Sequence, residues 1–156
     1  RCTNNYGPKQ FPEKLIPKTI ILASRNEKIP IYGTGKSIRD WIFVDDHCDA
    51  IMDVLLNGKS GESYNISAGN EIDNITIIKK ILTIIGKPLE NIEFVEDRPG
   101  HDFRYSMEST KIRNNLGWSQ NKKIEEGLKK TIEWYLENKA WWMHLDQKIL
   151  DATPWK

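Results

Sequence analysis

Apolar residues recur along this chain at two spacings, which divide it into short strands alternating with helices. A spacing of three to four residues marks one face of a helix. It is clearest where Cys48, Ile51, Met52, Leu55 and Leu56 fall at i, i+3, i+4, i+7 and i+8, with Asp45 placed as N-cap and Gly58 as the stop. This stripe predicts a helix whose apolar face, Cys48 included, is packed. The same spacing predicts helices from Pro17 to about Asn26, over 75–85, over 111–116, and from Lys123 through Ile124, Leu128, Ile132 and Tyr135. Asn74 and Ser109 stand where two of these need capping. Short apolar runs between turn residues predict strands at 29–31, 41–44, 62–67 and 92–95. Residues 4–12, with paired asparagines, Gly7-Pro8 and Phe11-Pro12, read as turn. The tail from Trp141 to Trp155 is aromatic-rich without a clear period. The alternation points to an α/β or α+β arrangement.

Composition narrows the classes. The 156 residues suffice for one domain with a core, and a formal charge of +1 gives no field that would recruit nucleic acid or an anionic membrane. The apolar runs are too short to span a bilayer, and no signal-peptide pattern opens the chain. Cys2 and Cys48 have no metal-ligand spacing, and His47, His101 and His144 are remote from one another, so no metal is expected. Two free thiols in a reducing compartment make the cytoplasm the expected location. The chain opens on Arg1-Cys2-Thr3 without a methionine, as a piece of a longer protein would. Neither a G-x-G-x-x-G fingerprint nor a nucleophile elbow is present.

The candidate chemistry lies in polar loops at element ends, where binding residues are commonly carried. These are Asn4-Asn5, Glu13-Lys14, Tyr32 with Arg39, 70–74 and 97–101. Between the strands at 29–31 and 41–44 lies a Gly33-Thr34-Gly35 turn followed by Arg39. A guanidinium held beside such a turn can grip a phosphate or diphosphate with its fork of donors. The competing reading is a plain hairpin with Arg39 paired to Asp40 or another carboxylate. In Arg98-Pro99-Gly100-His101 the proline stiffens and the glycine bends the loop, so Arg98 and His101 can point one way; the alternative is a solvated turn with Arg98 paired to Asp97 or Asp102. For His47 a capping or packing role outweighs catalysis. The mixture of arginines, a lysine, amides and aromatics suits a ligand with a phosphate centre and hydroxyl-rich ends, and supplies no obvious proton-transfer pair.

Taken together, several motifs resemble the nucleoside-diphosphate-glucose 4,6-dehydratases of the extended short-chain dehydrogenase/reductase superfamily. They are Asn4-Asn5-Tyr6-Gly7-Pro8, Phe11-Pro12-Glu13-Lys14-Leu15-Ile16-Pro17, Pro30-Ile31-Tyr32-Gly33, Ile38-Arg39-Asp40-Trp41, Val44-Asp45-Asp46-His47, Tyr64-Asn65-Ile66, Asp97-Arg98-Pro99-Gly100-His101-Asp102, Leu116-Gly117-Trp118 and Trp134-Tyr135-Leu136. They occur in family order over nearly the whole chain. Arg-Asp-Trp and Asn-x-Tyr-Gly-Pro are shared with related epimerases and decarboxylases; the Phe-Pro-Glu-Lys-Leu-Ile-Pro run and Asp-Arg-Pro-Gly-His are more particular to the dehydratases.

The resemblance implies the carboxy-terminal part of an extended short-chain dehydrogenase/reductase (NAD-binding Rossmann) fold, mainly its smaller substrate-binding α/β subdomain. Residues 1–28 would pack on the missing Rossmann domain and 29–156 would form the sugar-nucleotide subdomain. It implies NAD as cofactor, touched here by Asn4, and a nucleoside-diphosphate-glucose held by Asn5, Lys14, Leu15, Pro30, Tyr32, Arg39, Asn74, Asp97, Arg98, Pro99, Gly100 and His101. Arg39 and Arg98 would flank the diphosphate. Family enzymes oxidise the glucose C4 hydroxyl, eliminate water across C5 and C6, and return the hydride to C6. Their glycine-rich NAD loop, Tyr-x-x-x-Lys pair and acidic elimination residues have no counterpart here, so no catalytic residue is assigned and the chain alone is expected to be inactive. A full-length homodimer is expected. So is exposed apolar surface around 16–22. The alternatives are a portion of a nucleotide-sugar epimerase or decarboxylase, or a non-catalytic sugar-nucleotide-binding module.

Overall fold

The computed structural model describes residues 1–151. Trp155 lies outside them. The elements run β1 (Asn4–Tyr6), α1 (Leu15–Ser24), β2 (Ile29–Tyr32), β3 (Ile38–Phe43), α2 (Val44–Asn57), β4 (Glu71–Asp73), α3 (Asn74–Ile85), β5 (Ile92–Val95), β6 (Arg104–Tyr105), α4 (Thr110–Leu116), α5 (Ile124–Glu137) and α6 (Lys139–Trp142). Short 3-10 turns occupy Leu89–Asn91 and Gln147–Leu150. This is an α/β fold with parallel strand pairs and covering helices, a partial Rossmann-like arrangement.

The central strand is β3. Its first half lies between antiparallel β4 and parallel β6, with Arg39 opposite Ile72 on one side and Tyr105 on the other. Its second half pairs in parallel with β1, Trp41 opposite Asn4 and Phe43 opposite Tyr6. β2 does not fold back on β3 as a hairpin would; it pairs in parallel with β5, in register from Ile29↔Ile92 to Tyr32↔Val95. The Gly33-Thr34-Gly35 turn therefore links two sheets. Its ends are tied by Gly33 N–H to the Val95 carbonyl at 3.0 Å and Ile75 N–H to the Gly35 carbonyl at 3.0 Å.

Helices α1, α3 and α5 close one face of β3. Ile16, Ile20, Ile21, Ile77, Ile81, Leu128, Ile132 and Tyr135 pack there with Trp41 and Phe43. Ile42, on the opposite face of the strand, joins Ala50, Tyr64, Ile66, Ile112 and Trp118 in a second cluster. The third joins Leu22 and Ala23 to Ile29, Ile31, Ile78 and Leu82. Both faces of β3 are thus covered, as expected of a strand in a layered α/β fold.

Several expectations change. The helices at 75–85, 111–116 and from 123 form as the spacing predicts, but two caps differ. Asp73, not Asn74, caps α3, its carboxylate accepting from Thr76 N–H at 2.7 Å. Ser109 precedes α4 yet donates its hydroxyl to the Ser67 carbonyl instead of capping. Asp45 sits inside the first turn of α2, after an N-cap at Phe43. The predicted strand at 62–67 reduces to one bridge, Ile66 with Cys2, while β1 forms within the stretch read as turn. The tail after α5 is short helix and 3-10 turn, with Trp142 buried.

The largest correction concerns α2. Its stripe of Cys48, Ile51, Met52, Leu55 and Leu56 is exposed, Leu55 at 73% and Leu56 at 71%, while Asp46 and Ala50 are buried instead. Asp46 is buried because it accepts the backbone N–H groups of Asn121 and Lys122, both at 3.1 Å, anchoring the approach to α5. Conversely, the apolar surface expected around 16–22 is closed. Ile16, Ile20, Ile21 and Leu22 are buried among this chain's own helices.

Candidate functional site

The carboxyl ends of parallel strands β2 and β5 open onto one place, an edge where α/β folds commonly hold ligands. A cavity of about 200 Å³ lies there, lined by Asn4, Glu13, Lys14, Leu15, Tyr32, Arg39, Trp41, Asn74, Arg98 and His101. Five segments meet in it: β1, the start of α1, the end of β2 with β3, the first residue of α3, and the loop after β5.

Strand alternation explains why Arg39 faces this cavity. Residues 39, 41 and 43 share one face of β3, so Arg39 and Trp41 line the cavity together. Asp40 points to the other face, where Ser67 Oγ donates to its Oδ2 and Asn70 N–H donates to its Oδ1 at 2.7 Å. Pairing of Arg39 with Asp40 is thereby excluded. The guanidinium instead donates to two backbone carbonyls, Ile38 at 2.7 Å and Asp102 at 2.8 Å. Arg39 is 6% exposed, and among the described residues it forms no ion pair. Burial, followed by the like charge of Arg98, lowers its pKa below the usual guanidinium value. The charge of Asp102 offsets this in part. On the cavity wall Glu13 is paired to Lys14 at 3.6 Å, which leaves the two arginines as an excess of positive charge where an anion is stabilised.

The rest of the wall is amphipathic. Burial raises the Tyr32 pKa above the usual phenol value, against the opposing pull of Arg98. The Tyr32 ring meets His101 edge-on, centroids 6.4 Å apart. With Asp73 serving as the cap of α3, the Asn74 side chain is released to the cavity, where the sequence left two roles open. Arg98 forms no ion pair with Asp97 or Asp102; Asp97 is occupied by His101 Nδ1 at 2.6 Å and by the Arg98 backbone N–H at 2.9 Å.

Of the expected contacts, Asn4, Lys14, Leu15, Tyr32, Arg39, Asn74, Arg98 and His101 are brought together. Asn5, Pro30, Asp97, Pro99 and Gly100 are not on the cavity wall. Asn5 turns its amide to Cys2 Sγ and the Thr3 carbonyl, both at 3.2 Å. Pro30 is buried within β2, and Pro99 and Gly100 form an exposed loop tip. Trp41 was missed; its parity with Arg39 along one strand is the signal that marks it. His47 lines a different cavity beside Arg1, Cys2 and Ile51, and burial lowers its pKa. No helix of the described residues is long and apolar enough to cross a membrane.

This fold and site define a member of the extended short-chain dehydrogenase/reductases, with the solved dehydratases and epimerases as its structural neighbours. The model for the family described as GDP-mannose 4,6 dehydratase matches residues 1–131, so the chain belongs to that family. A probable dTDP-glucose 4,6-dehydratase of Sinorhizobium fredii is 44% identical over 155 residues, covering 95% of this chain and 44% of the relative. The dTDP-glucose 4,6-dehydratase of Bacillus anthracis, solved in complex with NAD, superposes with a TM-score of 0.90 at 45% identity, covering 94% of this chain and 46% of that one. DesIV of Streptomyces venezuelae, a dTDP-glucose 4,6-dehydratase solved with NAD and TYD (dTDP) bound, superposes with a TM-score of 0.89 at 42% identity, covering 91% and 44%. The chain spans a little under half the length of these relatives.

Proposed function

We propose that this chain is the sugar-nucleotide-binding portion of an NAD-dependent dTDP-glucose 4,6-dehydratase acting in the cytoplasm. The carrying observation is Arg39, a buried guanidinium in no ion pair among the described residues, which shares a cavity wall with Arg98, amides, aromatics and the Glu13–Lys14 pair. The two arginines clamp the diphosphate from its flanks, beside a Lys14 that is paired with Glu13 at 3.6 Å. Trp41, Tyr32 and Leu15 give apolar surface to the nucleoside or sugar ring, and the Asn74 amide is an orienting group. The relatives named as dTDP-glucose 4,6-dehydratases, one of them solved with TYD bound, support thymidine over uridine as the base.

NAD suits the remaining open group. The Asn4 side chain lines the cavity and makes no hydrogen bond among the described residues, so its amide is available to a cofactor. When bound, NAD supplies the temporary hydride store for oxidation at C4 and reduction at C6. This chain's residues hold the diphosphate and so fix the sugar relative to that store. Their part is binding, and proton transfer falls to the other half of the family fold. The exposed α2 face, Ile51, Met52, Leu55 and Leu56, is where that other half packs.

Two measurements test this. Calorimetric titration of dTDP and UDP into the chain should give heat with dTDP and less with UDP; no heat with either contradicts the binding role. Incubated with dTDP-glucose and NAD, the chain alone should form no 4-keto-6-deoxy product by chromatography. Turnover would contradict the division of labour.

A further inference from the structure

The loop 7–14 joins β1 to α1 and delivers Glu13, Lys14 and Leu15 to the cavity wall. Little inside it holds its shape. Among the described residues its internal backbone bonds are two turns, Gln10 N–H to the Gly7 carbonyl at 3.4 Å and Lys14 N–H to the Phe11 carbonyl at 3.1 Å. Lys9 takes φ +64, a left-handed conformation that a residue with a Cβ adopts when its surroundings impose it. The loop is therefore tied from outside. At Gly7 an added Cβ would lie 2.5 Å from Val44 Cγ1, so the chain leaves β1 pressed against the start of α2. At Gln10 the side-chain Nε2 donates to the Asn5 carbonyl at 2.7 Å, and the backbone carbonyl accepts the hydroxyl of Tyr135 from α5. Beyond Gln10 the loop emerges, with Phe11, Glu13 and Lys14 exposed and Pro12 buried between them.

Tyr135 is itself well anchored. It is fully buried in one cluster with Ile16, Ile20, Leu128 and Ile132. The Trp134 and Trp141 rings stand edge-on to it, centroids 5.0 and 6.2 Å away, and Trp142 Nε1 donates to its carbonyl at 3.0 Å. A phenylalanine would fill the same apolar space, so what the hydroxyl adds is the bond to Gln10. Burial pushes its pKa well above the usual phenol range, which keeps the group protonated and a donor.

We propose that Tyr135 is a positioning residue for the cavity: its hydroxyl fixes Gln10, and through Gln10 the loop that sets Lys14 and Leu15 on the wall. Tyr135 touches no ligand. The consequence for dTDP rests on the binding reading given above.

Tyr135→Phe removes the hydroxyl and keeps the ring. Tyr6→Phe is its counterpart, a second fully buried phenol whose hydroxyl goes to the Ile124 carbonyl at 3.5 Å and not to the loop. Calorimetric titration should show dTDP affinity lower by about fivefold in Tyr135→Phe, as for one lost hydrogen bond, and within about twofold of the unaltered chain in Tyr6→Phe. In a Lys14→Ala/Leu15→Ala background, Tyr135→Phe should change affinity by no more than about twofold, because the residues it positions are gone. Without ligand, amide hydrogen exchange over 9–15 should be faster in Tyr135→Phe and unchanged in Tyr6→Phe. Equal affinity losses in the two phenylalanine variants, an undiminished loss in the double-alanine background, or unchanged exchange over 9–15 in Tyr135→Phe overturns the proposal. An unaltered chain that takes up no dTDP overturns the binding reading instead. Exchange then decides the brace: faster exchange over 9–15 in Tyr135→Phe supports it, and unchanged exchange overturns it.

Discussion

Arg39 and Asp40 are sequence neighbours that the pleat of β3 sends to opposite faces. That one geometric fact separates an arginine that faces the cavity from one paired with its neighbouring carboxylate. Asp40 is fully buried and satisfied by Ser67 and Asn70, so the guanidinium is left with backbone carbonyls and the cavity. The contrasting case is Glu71 with Arg104. There a fork of two 2.7 Å bonds, with Ser106 Oγ donating at 2.8 Å, satisfies both charges at the surface. Those bonds, led by Arg104, lower the Glu71 pKa to about 2. The sign follows from the depressed value: the pairing favours the fold above the ordinary glutamate range, and this contribution fades as pH falls through about 2. A carboxyl-carbon NMR titration should place the Glu71 midpoint near 2. A midpoint in the ordinary glutamate range would mean that the fork is not held in solution.

At the scale of elements, the cap of α3 ties the fold to the site. Asp73 accepts the Thr76 N–H, which lets Asn74 turn to the cavity. Asp73→Ala should cost about 1 kcal/mol of stability, the usual value of a lost N-cap, read from urea denaturation. A loss near zero would mean that another group caps the helix. Much at this scale was legible in the sequence, because α3, α4 and α5 bury the stripes that their apolar spacing marks. The exception, α2, has an equally regular stripe and points it outward. Periodicity reports that a face is apolar, not which neighbour covers it, and the buried Asp46 that orients α2 is bonded to residues more than seventy positions away. The paired asparagines of β1 hid a strand for the same reason, since its pairing with β3 is remote. In the site, loop composition brought Arg39, Arg98 and His101 together in advance. It could not show that Asp97 is turned behind the wall, because that depends on contact with a glycine sixty-four residues earlier.

For the whole molecule, the exposed α2 face decides how the chain behaves by itself. Four large apolar side chains on one helix side, Ile51, Met52, Leu55 and Leu56, form a patch of the kind that drives association. Replacing both Leu55 and Leu56 by lysine should reduce self-association in sedimentation velocity. Because both residues are mostly exposed, stability should change by no more than about 0.5 kcal/mol each. A collapse of helicity would show instead that the face is buried within this chain.

The proposed diphosphate clamp is tested most directly by Arg39→Ala with dTDP. Titrated calorimetrically against the unaltered protein, the variant should bind dTDP more weakly by about 1.5–3 kcal/mol, the value of a charge-assisted contact. Equal affinity in the two proteins would contradict the clamp and leave Arg39 a structural residue of β3.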